Sequence, residues 1–196
     1  MRDMIKMVIV LTLLSSVSGG LLAAIRNGTQ DRIANQQLEF VKGPAIRAIL
    51  QGAENDPISD RFTIETDGLE KTVFVGVFDG EPKKIALETY GKGYGGDIGV
   101  MVGINTEEER LAGVGVTTHA ETPGLGSLAK DDPAFAAQFS GLPADQPVKV
   151  TQDGGSVNAI SGATITSRAV TSAATKATDV YGRLKPQIME KLSDYK

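Results

Sequence analysis

The sequence predicts an α+β protein in which an N-terminal transmembrane helix precedes a single domain with a largely antiparallel sheet and flanking helices. Three observations lead to this prediction. An uncharged, mostly aliphatic segment occupies residues 7–25, five segments with strand-like alternation follow one another without a helix between them, and the chain ends in a helical apolar stripe. We expect residues 1–26 to form a cytoplasmic tip and anchor, and residues 27–196 to form an extracytoplasmic domain.

The uncharged segment at residues 7–25 is long enough to cross a bilayer. A helix of this length rises roughly 28 Å at about 1.5 Å per residue, close to the hydrocarbon thickness of a membrane. A cleaved signal peptide is the alternative, because Arg2 and Lys6 would suit its basic start. The residues before Arg26 (GLLAAI) lack a clean small-x-small cleavage site, so the sequence favours an uncleaved, single-pass anchor.

The other elements are predicted from the spacing of apolar residues. Helical spacing over residues 33–49 predicts a helix that Gly43 and Pro44 interrupt. The pattern then changes to period two, which predicts five strands separated by turn residues. A short helix follows, capped by Asp132 and with Pro133 in its first turn. The strands are predicted at residues 62–66, 71–78, 83–90, 98–104 and 111–119.

Charge and composition exclude several classes of protein. The 196 residues include 20 basic and 24 acidic side chains, no cysteine and one histidine, His119. A net charge of -4 does not suit a nucleic-acid-binding protein. Without cysteine there is no disulfide, no thiolate zinc site and no cysteine-ligated iron–sulfur cluster, and we expect no metal site. Any reactive atoms must come from hydroxyls, carboxylates or an organic cofactor.

Two glycine-containing loops interrupt the strand pattern. The first, residues 91–98 (GKGYGGDI), lies between two predicted strands, and Tyr94 offers an aromatic face there. On its own, this composition is more typical of a flexible hairpin. The second, residues 119–126 (HAETPGLG), places a carboxylate and a hydroxyl beside a leucine. A purely structural connection after a strand is the alternative interpretation.

A third segment, residues 161–167 (SGATITS), opens the last predicted helix, which extends to residue 192 and which Pro186 is expected to bend. Such a start leaves backbone N–H groups unpaired at the positive end of the helix dipole, where a phosphate would bind. The alternative is simple capping by Ser161 or Thr164, which helix statistics alone favour.

Taken together, the three segments resemble those of the membrane-anchored FMN-binding proteins of respiratory ion pumps. The resemblance is carried by GYGG at 93–96, HAETPGLG at 119–126 and SGATITSRAV at 161–170, in this order behind one transmembrane helix. The pattern is similar to RnfG, the G subunit of the Rnf electron-transport complex. The C subunit of the sodium-translocating NADH:quinone reductase is the related alternative, and the short chain without a large insertion favours the Rnf type.

The resemblance implies that FMN is joined covalently, through a phosphoester, to the hydroxyl of Thr164, the threonine that ends the SGAT tetrad. A flavin transferase would make this modification. The family usually has an acidic residue three places before the tetrad, where this chain has Asn158. The other cofactor-binding residues implied are Tyr94, Gly95, Glu121, Thr122, Gly124, Leu125, Ser161, Gly162, Ala163, Ile165 and Thr166.

Physical chemistry suggests how these residues would act on a bound flavin. We expect Thr166 and Ser167 to hydrogen-bond phosphate or ribityl oxygens. Leu125 would cover the ring, and Glu121 and Thr122 would meet its polar edge. A phosphoester leaves the ring chemically unchanged, so noncovalent contacts must set its redox potential.

The resemblance implies a non-autonomous redox protein with no catalytic residue of its own. It would relay electrons, beside iron–sulfur and membrane subunits, in a complex that couples ferredoxin and NAD to ion transport. We expect it in the bacterial inner membrane with its C-terminal domain on the periplasmic side.

Two other functional classes are compatible with parts of the sequence. A serine hydrolase could be built from Ser161, His119 and Asp153, but the chain lacks a G-x-S-x-G elbow. In a cofactor-free anchored scaffold, the same motifs would serve as turns and caps. Covalent FMN would give yellow colour and in-gel fluorescence after denaturation, and a scaffold would give neither.

Overall fold

The computed structural model describes residues 1–66 and 68–195, without the side chains of Thr66 and Leu69. It divides into two compact units, Met1–Glu39 and Phe40–Lys196. Helix α1 (Arg2–Gln36) accounts for most of the first unit and has no buried residue. Among the described residues, one helix is long and apolar enough to cross a membrane, and it lies at the N-terminus. The predicted anchor ends at residue 26, whereas α1 continues for ten more residues, to Gln36.

A π-helical segment, Gln37–Lys42, separates α1 from helix α2 (Gly43–Ile49). The interruption predicted at Gly43 and Pro44 is therefore found immediately before these residues. Pro44 lies in the first turn of α2, where its missing N–H costs no hydrogen bond. Because a proline ring crowds the carbonyl of the preceding turn, the change of helix type falls on the N-terminal side of Pro44.

The five predicted strands are confirmed, and they form one sheet in sequence order. Every pair of neighbouring strands is antiparallel, as predicted. Antiparallel neighbours can be joined by short turns, so no crossover helix is needed between them. The strands are β1 (Arg61–Thr66), β2 (Leu69–Phe78), β3 (Glu81–Lys92), β4 (Asp97–Asn105) and β5 (Arg110–Thr118).

Helices cover both faces of the sheet. The last predicted helix is confirmed as α5 (Thr164–Leu192), which passes through Pro186 and packs its apolar stripe against β3 and β4. Side chains alternate between the two faces of a strand. On the face opposite α5, β4 and β5 present glycines, and helix α2 packs over them. The core therefore lies mainly between the sheet and α5.

Two short helices follow β5. Helix α4 (Pro133–Ala137) is the short helix predicted from the sequence, and its N-cap Asp132 accepts a hydrogen bond from the Ala134 N–H at 2.9 Å. Helix α3 (Leu128–Asp131) was not predicted, since a single helical turn leaves no detectable periodicity.

Strand β3 and helix α5 approach each other closely at Gly91. A Cβ on Gly91 would lie 1.9 Å from the carbonyl oxygen of Ala169, so only glycine fits there. One helical turn further, Thr89 Oγ1 donates a hydrogen bond of 2.7 Å to the carbonyl oxygen of Ala173. These contacts hold the first turns of α5 beside the end of β3.

The close approach makes Gly91 sensitive to a single added methyl group. We expect Gly91→Ala to lower the free energy of unfolding by roughly 1–3 kcal/mol, because the helix must move away from the strand. Urea unfolding of the full chain in detergent measures this change. Gly182→Ala is the matched control, since its Cβ would meet nothing within 4 Å and it should gain about 1 kcal/mol of helix propensity. Equal effects of the two substitutions would contradict the packing described here.

Candidate functional site

Loops from three parts of the chain meet at one end of the sheet and line an open cavity of about 490 Å³. They are the β3–β4 turn, the loop that follows β5, and the turn that leads into α5. A cavity of this volume is typical of cofactor and small-molecule sites. Its lining residues are Tyr94, Glu121, Thr122, Leu125, Gly126, Gly162, Ala163, Thr164, Ile165 and Thr166.

Most of the residues singled out from the sequence lie on this wall. Gly95, Gly124 and Ser161 are the exceptions: they belong to the same loops but do not line the cavity. Gly126 lines the cavity but is not among the cofactor-binding residues predicted from the sequence, although it is the last residue of the HAETPGLG segment. A Cβ on Gly126 would lie 2.8 Å from Cβ of Glu121, so the two residues are in close contact.

Helix α5 begins at the cavity without a side-chain cap. Its N-cap is Ala163, and no side-chain cap hydrogen bond is formed at this described helix end, so capping by Ser161 or Thr164 is not found. Gly162 has a φ of +77°, and a Cβ there would lie 3.0 Å from Cδ1 of Leu125. The first N–H groups of α5, like those of any α-helix, have no intrahelical acceptors, and here they lie beside the cavity without a side-chain cap.

Two of the hydroxyl groups at the helix start are bonded to the protein. Thr166 Oγ1 donates to Oε2 of Glu121. Ser167 Oγ accepts the N–H of Ile160 at 3.0 Å and donates to the carbonyl oxygen of Ala163 at 3.0 Å. Both side chains are buried. They therefore have protein partners in place of the phosphate or ribityl oxygens expected from the sequence.

Thr164 differs from these two residues. It is the first residue of α5, it lines the cavity and it is partly exposed. Among the described residues, none forms a hydrogen bond with its hydroxyl group. Thr164 thus offers the cavity an uncommitted hydroxyl at the positive end of a helix dipole.

Glu121 joins the three loops through one buried carboxylate. The residue is only 6% exposed. Its Oε1 accepts the N–H of Gly95 at 2.6 Å, while its Oε2 accepts the hydroxyl of Thr166. The backbone N–H of Tyr94 also helps to lower the pKa of the carboxyl. Each loop therefore contributes to the same set of hydrogen bonds.

These bonds determine the charge of Glu121. Burial raises the pKa of its carboxyl, but the bonds from Thr166, Gly95 and Tyr94 and the charge of nearby His119 outweigh burial, so the pKa lies below its ordinary value. Glu121 is consequently ionised at neutral pH. In the part of the chain that the structure describes, no lysine or arginine lines the cavity, so its wall carries a negative charge.

The residues of the hydrolase alternative have other partners. Both carboxylate oxygens of Asp153 accept hydrogen bonds of 2.7 Å from Arg168. Nδ1 of His119 accepts the N–H of Glu121 at 3.2 Å. Neither residue therefore makes the His–Asp contact that orients the base of a catalytic triad.

Comparison with known proteins identifies the family of the chain. An FMN-binding domain matches residues 93–179. The G subunit of the ion-translocating oxidoreductase complex of Pseudomonas aeruginosa is 35% identical over 189 residues, which cover 90% of this chain and 87% of that protein. The chain belongs to this family of G subunits. The G subunit from Methanosarcina acetivorans is 31% identical over 180 residues, covering 91% of this chain and 94% of that protein.

Solved structures share the fold of the domain. The C subunit of the Na⁺-translocating NADH-quinone reductase of Parabacteroides distasonis superposes with a TM-score of 0.50 at 28% identity, covering 58% of this chain and 62% of that one. NqrC of Shewanella oneidensis gives a TM-score of 0.54 at 24% identity over 70% and 72% of the two chains, which shows the fold alone. The resemblance inferred from the three segments is confirmed. The protein therefore combines an FMN-binding domain with an N-terminal helix that is long and apolar enough to cross a membrane.

The bond between Thr166 and Glu121 should contribute measurably to stability. Thr166→Val keeps the shape of the side chain but removes the donor to a buried carboxylate, and we expect it to cost about 2 kcal/mol of unfolding free energy. Urea unfolding measures the loss. Thr166→Ser retains the hydroxyl and should be clearly more stable than Thr166→Val. A valine variant as stable as the serine variant would contradict the assignment of this bond.

The lowered pKa of Glu121 predicts a loss of stability in acid. A carboxyl whose pKa is lower in the folded than in the unfolded chain stabilises the fold above its unfolded pKa, here near 4.5, and less as the pH falls. We therefore expect the stability difference between the wild-type chain and Glu121→Gln to be largest near about pH 7 and to shrink toward about pH 3. Unfolding free energies measured across this range test it. Glu108→Gln, at an exposed position, should follow the wild-type profile.

Proposed function

We propose that the protein is an electron-relay component of a membrane-bound ion-translocating ferredoxin:NAD oxidoreductase complex, and that it carries FMN on Thr164 through a phosphoester. The observation that carries this proposal is the uncommitted hydroxyl of Thr164, at the N-terminus of α5 and on the wall of the cavity in an FMN-binding domain. The family of the chain supports the wider role.

The cavity suits the three parts of FMN. We assign the phosphate to the N-terminus of α5, where free N–H groups and the helix dipole favour an anion. The small residues Gly162 and Ala163 leave room for the ribityl chain against the backbone. The apolar side chains on the wall fit the ring, and these are Tyr94, Leu125 and Ile165. When bound, FMN supplies reversible uptake of electrons, and the chain supplies its position and electrostatic surroundings.

The attachment is assigned to Thr164 by comparing the hydroxyl groups of residues 161–167. A phosphoester on Thr166 or Ser167 would remove a donor that now bonds Glu121 or the carbonyl of Ala163. Ser161 is exposed but does not line the cavity. Of these four hydroxyl groups, that of Thr164 both lines the cavity and can be esterified without breaking a hydrogen bond.

We further propose that a flavin transferase makes the link, despite Asn158 at the usual acidic position. The backbone N–H of Asn158 donates to Oε1 of Gln138 at 2.7 Å, and its carbonyl accepts from Nε2 of Gln138 at 3.3 Å. The main chain before the tetrad is thus held by Gln138, and the residue at 158 is exposed. A neutral side chain there leaves the loop geometry unchanged and accessible to an enzyme.

The proposed partners are other membrane and iron–sulfur subunits of the complex. The chain has no cysteine and a single histidine, so it cannot bind an iron–sulfur cluster through its own thiolates. Electrons must therefore reach and leave its flavin through neighbouring proteins. We propose that residues 1–26 hold the protein in the inner membrane and that residues 27–196 form the domain on the periplasmic side.

The Rnf type is favoured over the quinone-reductase type by the extent of the matches. Relatives named as G subunits align with about nine-tenths of this chain. Purification of the protein with its associated subunits distinguishes the Rnf type from the quinone-reductase type, because the two complexes contain different subunits.

The attachment site is tested by mass spectrometry of the chain coexpressed with a flavin transferase. We expect the tryptic peptide 150–168 to carry the mass of FMN, and in-gel fluorescence to persist after denaturation. Thr164→Val should abolish both signals, whereas the control Ser161→Ala should retain them. Loss of the signals in the Ser161 variant, with retention in the Thr164 variant, would refute the assignment. Absence of FMN from all forms would favour the cofactor-free scaffold.

A further inference from the structure

We propose that the carboxylate of Glu121 is a fixed charge that lowers the reduction potential of the flavin held in this cavity. The inference rests on the proposed function, because it concerns FMN bound at this site. It assigns Glu121 an electrostatic role in addition to its contacts with the loops.

The geometry fixes the position of this charge. The carboxylate receives hydrogen bonds from the backbone N–H of Gly95 at one oxygen and from the hydroxyl of Thr166 at the other. A side chain with partners at both oxygens cannot rotate into solvent without breaking several bonds. Glu121 is also 6% exposed, so water screens it poorly. Its charge therefore stays on the cavity wall.

Nearby cations do not neutralise this charge within the cavity. Arg168, one turn into α5, is paired with Asp153 through two bonds of 2.7 Å. Lys130 donates to the carbonyl oxygen of Thr117 at 3.2 Å. Lys92, at the end of β3, is exposed, where solvent screens its charge. None of these three side chains lines the cavity.

His119 and Tyr94 are two further titratable residues beside Glu121. His119 lies two residues before Glu121, and its Nδ1 accepts the Glu121 N–H at 3.2 Å. This bond engages the ring with the backbone, and His119 does not line the cavity. The side chain of Tyr94 is 77% exposed.

A fixed negative charge opposes the arrival of electrons. An electron that passes from an external donor to the flavin adds negative charge to the cavity, and any proton that follows comes from solvent. Glu121 itself is neither oxidised nor protonated in this process. The repulsion is stronger at a buried site than in water, because the effective dielectric constant is lower. The oxidised flavin is therefore favoured relative to a cavity with a neutral wall.

A purely structural role of Glu121 predicts a different result. If the carboxylate acted only through its hydrogen bonds, Thr166→Val and Glu121→Gln would disturb the flavin in the same direction. Thr166→Val keeps the charge and removes a donor, whereas Glu121→Gln removes the charge and keeps an acceptor oxygen. The two substitutions thus separate the charge from the bonds.

The experiment is a redox titration of the full chain, coexpressed with a flavin transferase, purified in detergent and followed by flavin absorbance at about pH 7. We expect Glu121→Gln to shift the midpoint potential positively by about 59 mV for a one-electron couple, a tenfold change in the ratio of reduced to oxidised flavin. Glu108→Gln removes the same charge beyond the far end of β4, roughly 30 Å away at about 3.3 Å per residue, and should leave the potential unchanged.

Each outcome distinguishes the inference from the proposed function. Three results would overturn the role of the charge. The first is an unshifted potential in Glu121→Gln, and the second is an equal shift in Glu108→Gln. The third is a matching positive shift in Thr166→Val. In each of these cases, FMN on peptide 150–168 would still support the attachment at Thr164. A peptide without FMN in the wild-type chain would overturn the proposed attachment and this inference with it.

Discussion

The close packing of α5 against β3 is the constraint on which the rest of the domain depends. Gly91 allows the backbone of the helix to approach the strand, and the bond from Thr89 to the carbonyl of Ala173 fixes the helix along its axis. Because β3 then turns directly into the hairpin with Tyr94, the first residue of α5 must lie near that hairpin. A contact between small residues in the core thereby determines where the positive end of a helix dipole meets an aromatic loop.

The site itself consists of loops, which are usually the more mobile parts of a protein. Here a single ionised side chain connects them, since Glu121 bonds the hairpin and the start of α5 from a third loop. The same bonds that keep the loops together also keep the carboxylate charged despite its burial. The rigidity of the site and its negative charge consequently have one physical origin.

The sequence was sufficient to predict the five strands, because the alternation of apolar and polar residues shows directly which face of a sheet is buried. It also identified the three loops by composition. It could not identify the partners of Thr166 and Ser167, since these depend on Glu121 and Ile160, which tertiary packing brings close. A hydroxyl cap was the alternative interpretation of the helix start, but the left-handed turn at Gly162 makes Ala163 the N-cap.

The cavity is open, and Tyr94, Leu125 and Ile165 at its wall remain substantially exposed, at 77%, 43% and 51%. Such a shallow site would retain a freely diffusing cofactor poorly. The proposed tether at Thr164 would change this requirement, because a tethered cofactor experiences an effective concentration that does not depend on its supply in solution. Weak contacts suffice to seat the ring, and the exposed side can stay available for close approach by another redox protein. An open cavity and permanent retention of a cofactor are therefore compatible if the cofactor is tethered as proposed.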